Sequence, residues 1–481
     1  MALAVVCLAQ LMNVLDTTIV NVALPSIQHD LHFSQGNLTW VINAFLIAFG
    51  SFLLLAGRVG DLIGRRRVFL TGVAVFTVAS ALCGLAPSQG VLIAARFVQG
   101  FGAALSASVV LAIIVTEFPS PADRAKAMSA YVFVAVSGGS LGLLAGGALT
   151  QAVSWHWIFF VNLPIGVAAL VLGRALIPRD SGIGLGEHVD WLGSLLVTGS
   201  LMSAVYAIVE ATSHGWGSLT VLGFGAIAIA LMVAFGILES RISNPIMPLG
   251  ILRLRGLVSS SIVRGFLVTG MYSTFFLGAL YLEHVLGYDA LKTGLAFLPW
   301  TLTVAVLAVG VTARLVSRFG SIRVLVPGLA AVAAGLLLLA NAGAHVSFFP
   351  TLFVAFVAIG VGAGTSFMPL LTIAMADVPP GEAGLASGIV NVSQQVSAAL
   401  GLAVLSTIAT NHSKALEAHG HGVVSSLISG YHLGFEIGAA CLVVGVIVAI
   451  VLLRPLERVG TESAEEELDE LPELALERQA A

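Results

Sequence analysis

Residues 56–69 read AGRVGDLIGRRRVF. Arg58, Asp61, Arg65, Arg66 and Arg67 stand between two runs, about 37–56 and 68–86, that carry no charged residue. Each run is long enough to cross a hydrocarbon core roughly 30 Å thick, which takes about 20 apolar residues. The charged cluster cannot enter that core. The stretch therefore reads as a short polar turn joining two membrane helices on one side of a bilayer.

The same alternation continues along the chain. Of 481 residues, 58% are hydrophobic and only 10% are charged, against roughly 25% charged in a soluble protein. A water-facing surface cannot be built from this composition. The net charge of −4 misleads, because nine of the 25 acids lie between Glu457 and Glu477. Fourteen segments qualify as spans: about 3–24, 37–56, 68–86, 91–113, 127–150, 157–177, 190–211, 218–238, 256–282, 293–313, 322–341, 349–375, 384–410 and 431–453. They are expected to be helices, since lipid offers no partner to free backbone groups. The first span is expected to stay in place, because no charged leading region precedes it.

Orientation follows from Lys and Arg. With the N-terminus in the cytoplasm, 17 of the 21 basic residues fall on the cytoplasmic side. Only Lys292 and Lys414 fall outside, and Arg96 and Arg264 lie within spans. Both termini are then cytoplasmic and the protein is a multi-pass cell-membrane protein. Arg264 is expected to snorkel to the inner surface. Cys7, Cys83 and Cys441 sit in apolar runs with no metal or redox spacing, and read as small core residues.

The loop after the second span has a counterpart after the tenth, TARLVSRFGSIRVL (312–325). Arg58 aligns with Arg314, Gly64 with Gly320, Arg67 with Arg323 and Val68 with Val324. The expected fold is therefore an all-α integral membrane protein of two six-helix bundles related by an internal repeat, with two extra helices between them. The divisions are 1–177, a first bundle; 178–255, the two added helices with linkers; 256–453, a second bundle; and 454–481, an acidic cytoplasmic tail. Such repeats build secondary transporters, with the substrate at the midplane between halves.

Several motifs carry a family resemblance. GRVGDLIGRRR (57–67) resembles the signature loop of the major facilitator superfamily. Gly57 and Gly64 permit a tight turn, and Asp61 can take a helix N-terminus or Arg58 and Arg65 as partners, which makes a latch. RFVQGFGAA (96–104) resembles the superfamily's fourth-span arginine motif, with Arg96 and Gln99 on one face. Gly138, Gly142 and Gly146, with Gly139 and Gly147, form ladders that let another helix approach. They resemble the antiporter motif of the drug exporters, although Leu143 stands where that motif has proline. SWHWIFFVNLPIG (154–166), VLDTTIVNVALP (14–25) and GLASGIVNVSQQVSAALGLAVL (384–405) resemble the fourteen-span drug:proton antiporters.

Asp16 lies in the middle of the first span. Gln10, Asn13, Thr17 and Asn21 recur at three- and four-residue steps and form one polar stripe, which Asp16 flanks. Two roles are open to Asp16. It can hold helices together as a permanently paired charge. It can also take a proton from one side and release it to the other; a proton crossing 100 mV yields about 2.3 kcal/mol. Arg96 is the residue that would tune it. Asn13, Thr17, Asn21 and Gln99, with Asn391 and Gln394 in the thirteenth span, are the expected lining of a central cavity. Glu210 and Glu436 are secondary acid candidates.

The resemblance implies a proton-coupled antiporter that exports amphiphilic, cationic drugs or antibiotics by alternating access, as a monomer in contact with lipid. A narrow exporter of one endogenous metabolite and a passive facilitator without proton coupling are the alternatives. No enzymatic role, cofactor, metal or nucleic-acid partner is expected. GGSLG (138–142) copies a hydrolase elbow but lies inside a span. None of the three lysines follows a glycine, as a phosphate-binding loop requires.

Overall fold

The computed structural model describes residues 2–33, 38, 40–180, 182, 184, 190–242, 247–288 and 290–453. The acidic tail, 454–481, lies outside the described residues, as do the side chains of Asn21 and Leu143.

Every regular element among the described residues is helical. The principal ones in chain order are α1 (Ala2–Leu31), α2 (Trp40–Ile63), α3 (Arg65–Gly84), α4 (Gln89–Glu117), α5 (Pro121–Ala152), α6 (Trp157–Leu176), α7 (Trp191–His214) and α8 (Leu219–Glu239). There follow α9 (Arg255–Val285), α10 (Leu298–Val306), α11 (Ser321–Ala340), α12 (Phe348–Ala376), α13 (Ala383–Ala418) and α14 (Val423–Leu453). Twelve helices among the described residues are long and apolar enough to cross a membrane. The other two segments counted from sequence correspond to α5, 32 residues long, and to an interrupted run in which α10 is flanked by Ala290–Ala296 and Thr312–Phe319.

The helices assemble in two groups. α1 packs along α5 and α6, and α4 lies against both α2 and α3. In the second group α9 packs on α13 and α14, α11 on α12 and α14, and α10 on α12. The groups meet where α2 faces α13 and where α5 faces α10 and α12. α7 and α8 pair with each other, and α7 leans on α2 and α13. α8 stands outermost, with Leu219, Leu222, Ile229 and Val233 exposed. Such residues suit a lipid-facing surface.

The aligned loops share a backbone device. Gly64 (φ 106°) precedes α3 and Gly320 (φ 86°) precedes α11. Both adopt a left-handed conformation that favours glycine. The alignment of two distant loops thus falls on two equivalent turns.

The glycine ladder of α5 lies on α1. A Cβ at Gly138 would stand 3.0 Å from Val14, one at Gly142 would collide with Thr18, and one at Gly146 would be 2.9 Å from the Ile19 carbonyl. Gly147 is different: a Cβ there meets nothing within 4 Å. Gly142→Leu should therefore lower the unfolding temperature of the detergent-purified protein, by the ~1–3 kcal/mol typical of overpacking. Gly147→Leu should leave it unchanged in the same fluorescence melt.

Candidate functional site

Asp16 is half of a buried ion pair. Its position on α1 is about 21 Å along the helix from Ala2, at 1.5 Å per residue. Arg96 on α4 donates from Nη1 to Asp16 Oδ2 at 2.5 Å. Asp16 Oδ1 accepts from Gln99 Nε2 at 2.7 Å and from Asn162 Nδ2 of α6 at 3.0 Å. The carboxylate is 0% exposed and Arg96 1%. Arg96 Nε also donates to the Val41 carbonyl of α2 at 2.9 Å, and Nη1 to Gln99 Oε1 at 2.7 Å. The guanidinium lies 4.5 Å from the centroid of Phe45, within cation–π range. Ser80 of α3 closes the network. It accepts from Gln99 and Asn162 at 3.2 and 3.1 Å and donates to the Phe159 carbonyl at 2.9 Å.

Five helices are thus tied to one carboxylate. The (i, i+3) spacing of Arg96 and Gln99 puts both on the face of α4 that meets α1. Removing one partner of such a pair leaves an uncompensated charge, at a cost of about 3–5 kcal/mol. Asn162 and Ser80 were not singled out from sequence. The usable signal for Asn162 is an amide within the apolar WIFFVNLPIG. Gln99, expected to line a cavity, instead points into this sealed network.

A second set of polar contacts lies around the point where α13 meets α4. Asn13 Nδ2 donates to Ser106 Oγ of α4 at 3.4 Å. α4 breaks at Val109, and near that break Asn391 of α13 donates to the Ala107 carbonyl at 3.3 Å. Three residues on, Gln394 accepts from Arg264 Nη2 of α9. Asn13 and Asn391, one from each predicted stripe, therefore meet α4 at Ser106 and Ala107. Thr17 is half-buried and donates to the Val14 carbonyl at 2.9 Å. Arg264 does not snorkel: it is 4% exposed. Of the secondary acids, Glu210 is half-buried on α7 and Glu436 is exposed on α14. A pocket of about 520 Å³ lies elsewhere, beside α2, α4, α7 and α8, with Trp40, Phe97, Met202 and Tyr206 in its wall.

The third feature is a clasp at the arginine-rich end. Asp61 is 3% exposed and reaches from α2 to the first turn of α13. It accepts from the Gly384 and Leu385 backbone N–H groups at 2.9 and 2.8 Å. Arg65 pairs with the same carboxylate at 3.0 Å. A carboxylate at a helix N-terminus meets unpaired donors and the positive end of the helix dipole. Close approach depends on glycine: a Cβ on Gly57 would collide with the Gly384 carbonyl, and one on Gly388 would lie 3.0 Å from the Leu53 carbonyl. Arg58 is half-buried beside them. Asp180, which sequence reasoning missed, caps α3 from outside: its carboxylate accepts from the Arg65 and Arg66 backbone N–H groups at 2.6 and 3.2 Å.

This geometry offers charge relocation and helix clamping rather than bond chemistry. Among the described residues no group of three or more His, Cys, Asp or Glu side chains is arranged to hold a metal.

The chain matches the Major Facilitator Superfamily over residues 6–402. It is 40% identical over 470 residues to the puromycin resistance protein of Streptomyces alboniger, covering 96% of this chain and 92% of that protein. It is 35% identical over 411 residues to the cephamycin export protein of Amycolatopsis lactamdurans, covering 85% of this chain and 84% of that protein. Among solved structures it is similar to a human organic anion transporter, with TM-score 0.64 and 17% identity, over 93% of this chain and 98% of that one. At that identity the likeness is one of fold.

Spin labels at the ends of α2 and α13 test the clasp. Asp61→Asn should depopulate the short inter-label distance, because it removes the charge at the α13 N-terminus. Asp180→Ala, which gives up a cap worth about 1 kcal/mol within one helix group, should leave that distance in place.

Proposed function

The chain belongs to the major facilitator superfamily, and we propose that it exports amphiphilic drugs or antibiotics across the cytoplasmic membrane in exchange for protons, by alternating access. The observation that carries the coupling is the Asp16 carboxylate, buried at membrane depth and matched by one cation and two amide donors. Protonating Asp16 removes the negative half of the pair. Arg96 then becomes an uncompensated buried charge, and the helices around it must shift or admit water. Asn162 Oδ1 is buried without a partner, so an amide rotation would give protonated Asp16 an acceptor. A site with two protonation states and two packings is what proton exchange needs.

The clasp supplies the second half of the cycle. With Asp61 seated on α13, the arginine-rich end is shut. In our reading that end is cytoplasmic, both termini lie on its side, and release of Asp61 opens the path inward. α5 and the run 290–319 complete fourteen spans, with α7 and α8 as the pair added between bundles 1–177 and 256–453. The protein acts as a monomer with lipid at its surface. The relatives named above, one for puromycin resistance and one for cephamycin export, support a drug or antibiotic as cargo. Because each is named for one compound, they also lend support to a narrower reading, export of a single metabolite.

Proteoliposomes with an acidic interior separate these readings. Wild type should accumulate labelled puromycin and ethidium only while the pH gradient lasts. Folded Asp16→Asn should lose gradient-driven uptake of both. Equal uptake by the variant would remove Asp16 from the coupling, and movement of puromycin alone would favour the narrow exporter.

A further inference from the structure

Arg264 is a buried cation without a counter-ion. It sits about 13 Å along α9 from Arg255, at 1.5 Å per residue, and is 4% exposed. Among the described residues no carboxylate pairs with it. Gln394 takes one of its nitrogens, and the face of Phe367 lies 5.4 Å from the guanidinium carbon. Nε and Nη1 are buried with no acceptor. Its neighbours come from both helix groups: Gln394 from α13, Phe367 from α12 and, within electrostatic reach, Tyr131 from α5. Asn391, one turn before Gln394 on α13, reaches the Ala107 carbonyl of α4 in the other group, so the open donors lie beside the seam between the groups.

Arg96 provides the contrast. It has a carboxylate, an amide oxygen and a backbone carbonyl as acceptors. The fold can satisfy a buried arginine, and at Arg264 it does not. A guanidinium has five N–H donors and no acceptor, remains charged, and matches carboxylate and phosphate oxygens. Burial strengthens any such pairing, because little water competes. Asp16 is already neutralised by Arg96, so the unmatched charge at the seam is positive.

We propose that Arg264, held by Gln394, is a recognition site for an oxyanion group, a carboxylate or phosphate, on an amphiphile bound between the two helix groups. Phe367 stacks under the guanidinium and begins the apolar wall for the rest of that molecule. This rests on the export reading and deepens it, adding an oxyanion-bearing class of substrate to the cationic one expected from sequence.

The test measures binding rather than transport, so its outcome is separate from that of the export reading. Two probes share a pyrene body, pyrenebutyrate and pyrenebutyltrimethylammonium. Their fluorescence anisotropy is titrated with the full chain in phosphatidylcholine nanodiscs. Wild type should prefer the carboxylate. Arg264→Gln should weaken carboxylate binding about tenfold, the loss of one charge-assisted pairing, and leave the cation unchanged. Arg264→Lys should recover part of the preference. Gln394→Leu, which keeps the charge but loosens its placement, should fall between and covers the case of an Arg264→Gln protein that does not fold. Displacement by dihexanoyl-phosphatidylglycerol in wild type would assign the oxyanion to a lipid headgroup, and no displacement would assign it to a free amphiphile; both uphold the site. No charge preference in wild type, or a preference that survives both Arg264→Gln and Gln394→Leu, overturns it.

Discussion

Two opposite charges with no access to water constrain the centre of this molecule. An isolated carboxylate or guanidinium at membrane depth is costly, about 2.5–3.5 kcal/mol even on insertion scales. Asp16 and Arg96 lower that cost only by meeting at 2.5 Å. The meeting dictates how α1 sits on α4, and Gln99, Asn162 and Ser80 complete the hydrogen bonding from α4, α6 and α3. The glycine ladder of α5 then lets that helix approach α1 from another side. The apolar contacts supply most of the packing area, but they are tolerant of sliding. The polar centre is not.

The clasp applies the same physics at the membrane surface. Asp61 brings a charge to a helix terminus whose N–H groups need acceptors, and Arg65 balances it. Both devices are strong only while their partners stay in register. Asn391 joins the two helix groups at the Ala107 carbonyl, with Asn13 bonded to Ser106 on one side and Gln394 to Arg264 on the other.

Much of this was legible in the sequence because membranes impose simple rules. Charge distribution alone separated long apolar helices from turns, twelve of them long enough to cross a membrane among the described residues, and the match of Gly64 with Gly320 found two equivalent left-handed junctions. Asp16, Arg96 and Asp61 stood out as charges in apolar surroundings or in a recognisable loop. What escaped were relations across the chain. Helical spacing puts Gln99 beside Arg96 but does not say whether that face meets a cavity or Asp16. Gly147 shares a spacing with Gly139 yet faces open space. Asp180 acts 115 residues away from Arg65, and nothing local marks it. Arg264 looked like a residue that could snorkel, because sequence shows how deep a side chain starts but not what stands in its way.

The central claim is that the buried Asp16 carboxylate changes protonation while the protein stays folded. Infrared difference spectroscopy on the reconstituted protein, acidified stepwise, reads this directly through the stretching band of a protonated carboxyl group. The account predicts a band that grows on acidification in wild type and is missing in Asp16→Asn. An identical set of bands in both proteins, across the whole range in which they remain folded, would mean that Asp16 is a permanent ion-pair partner and that coupling does not pass through it.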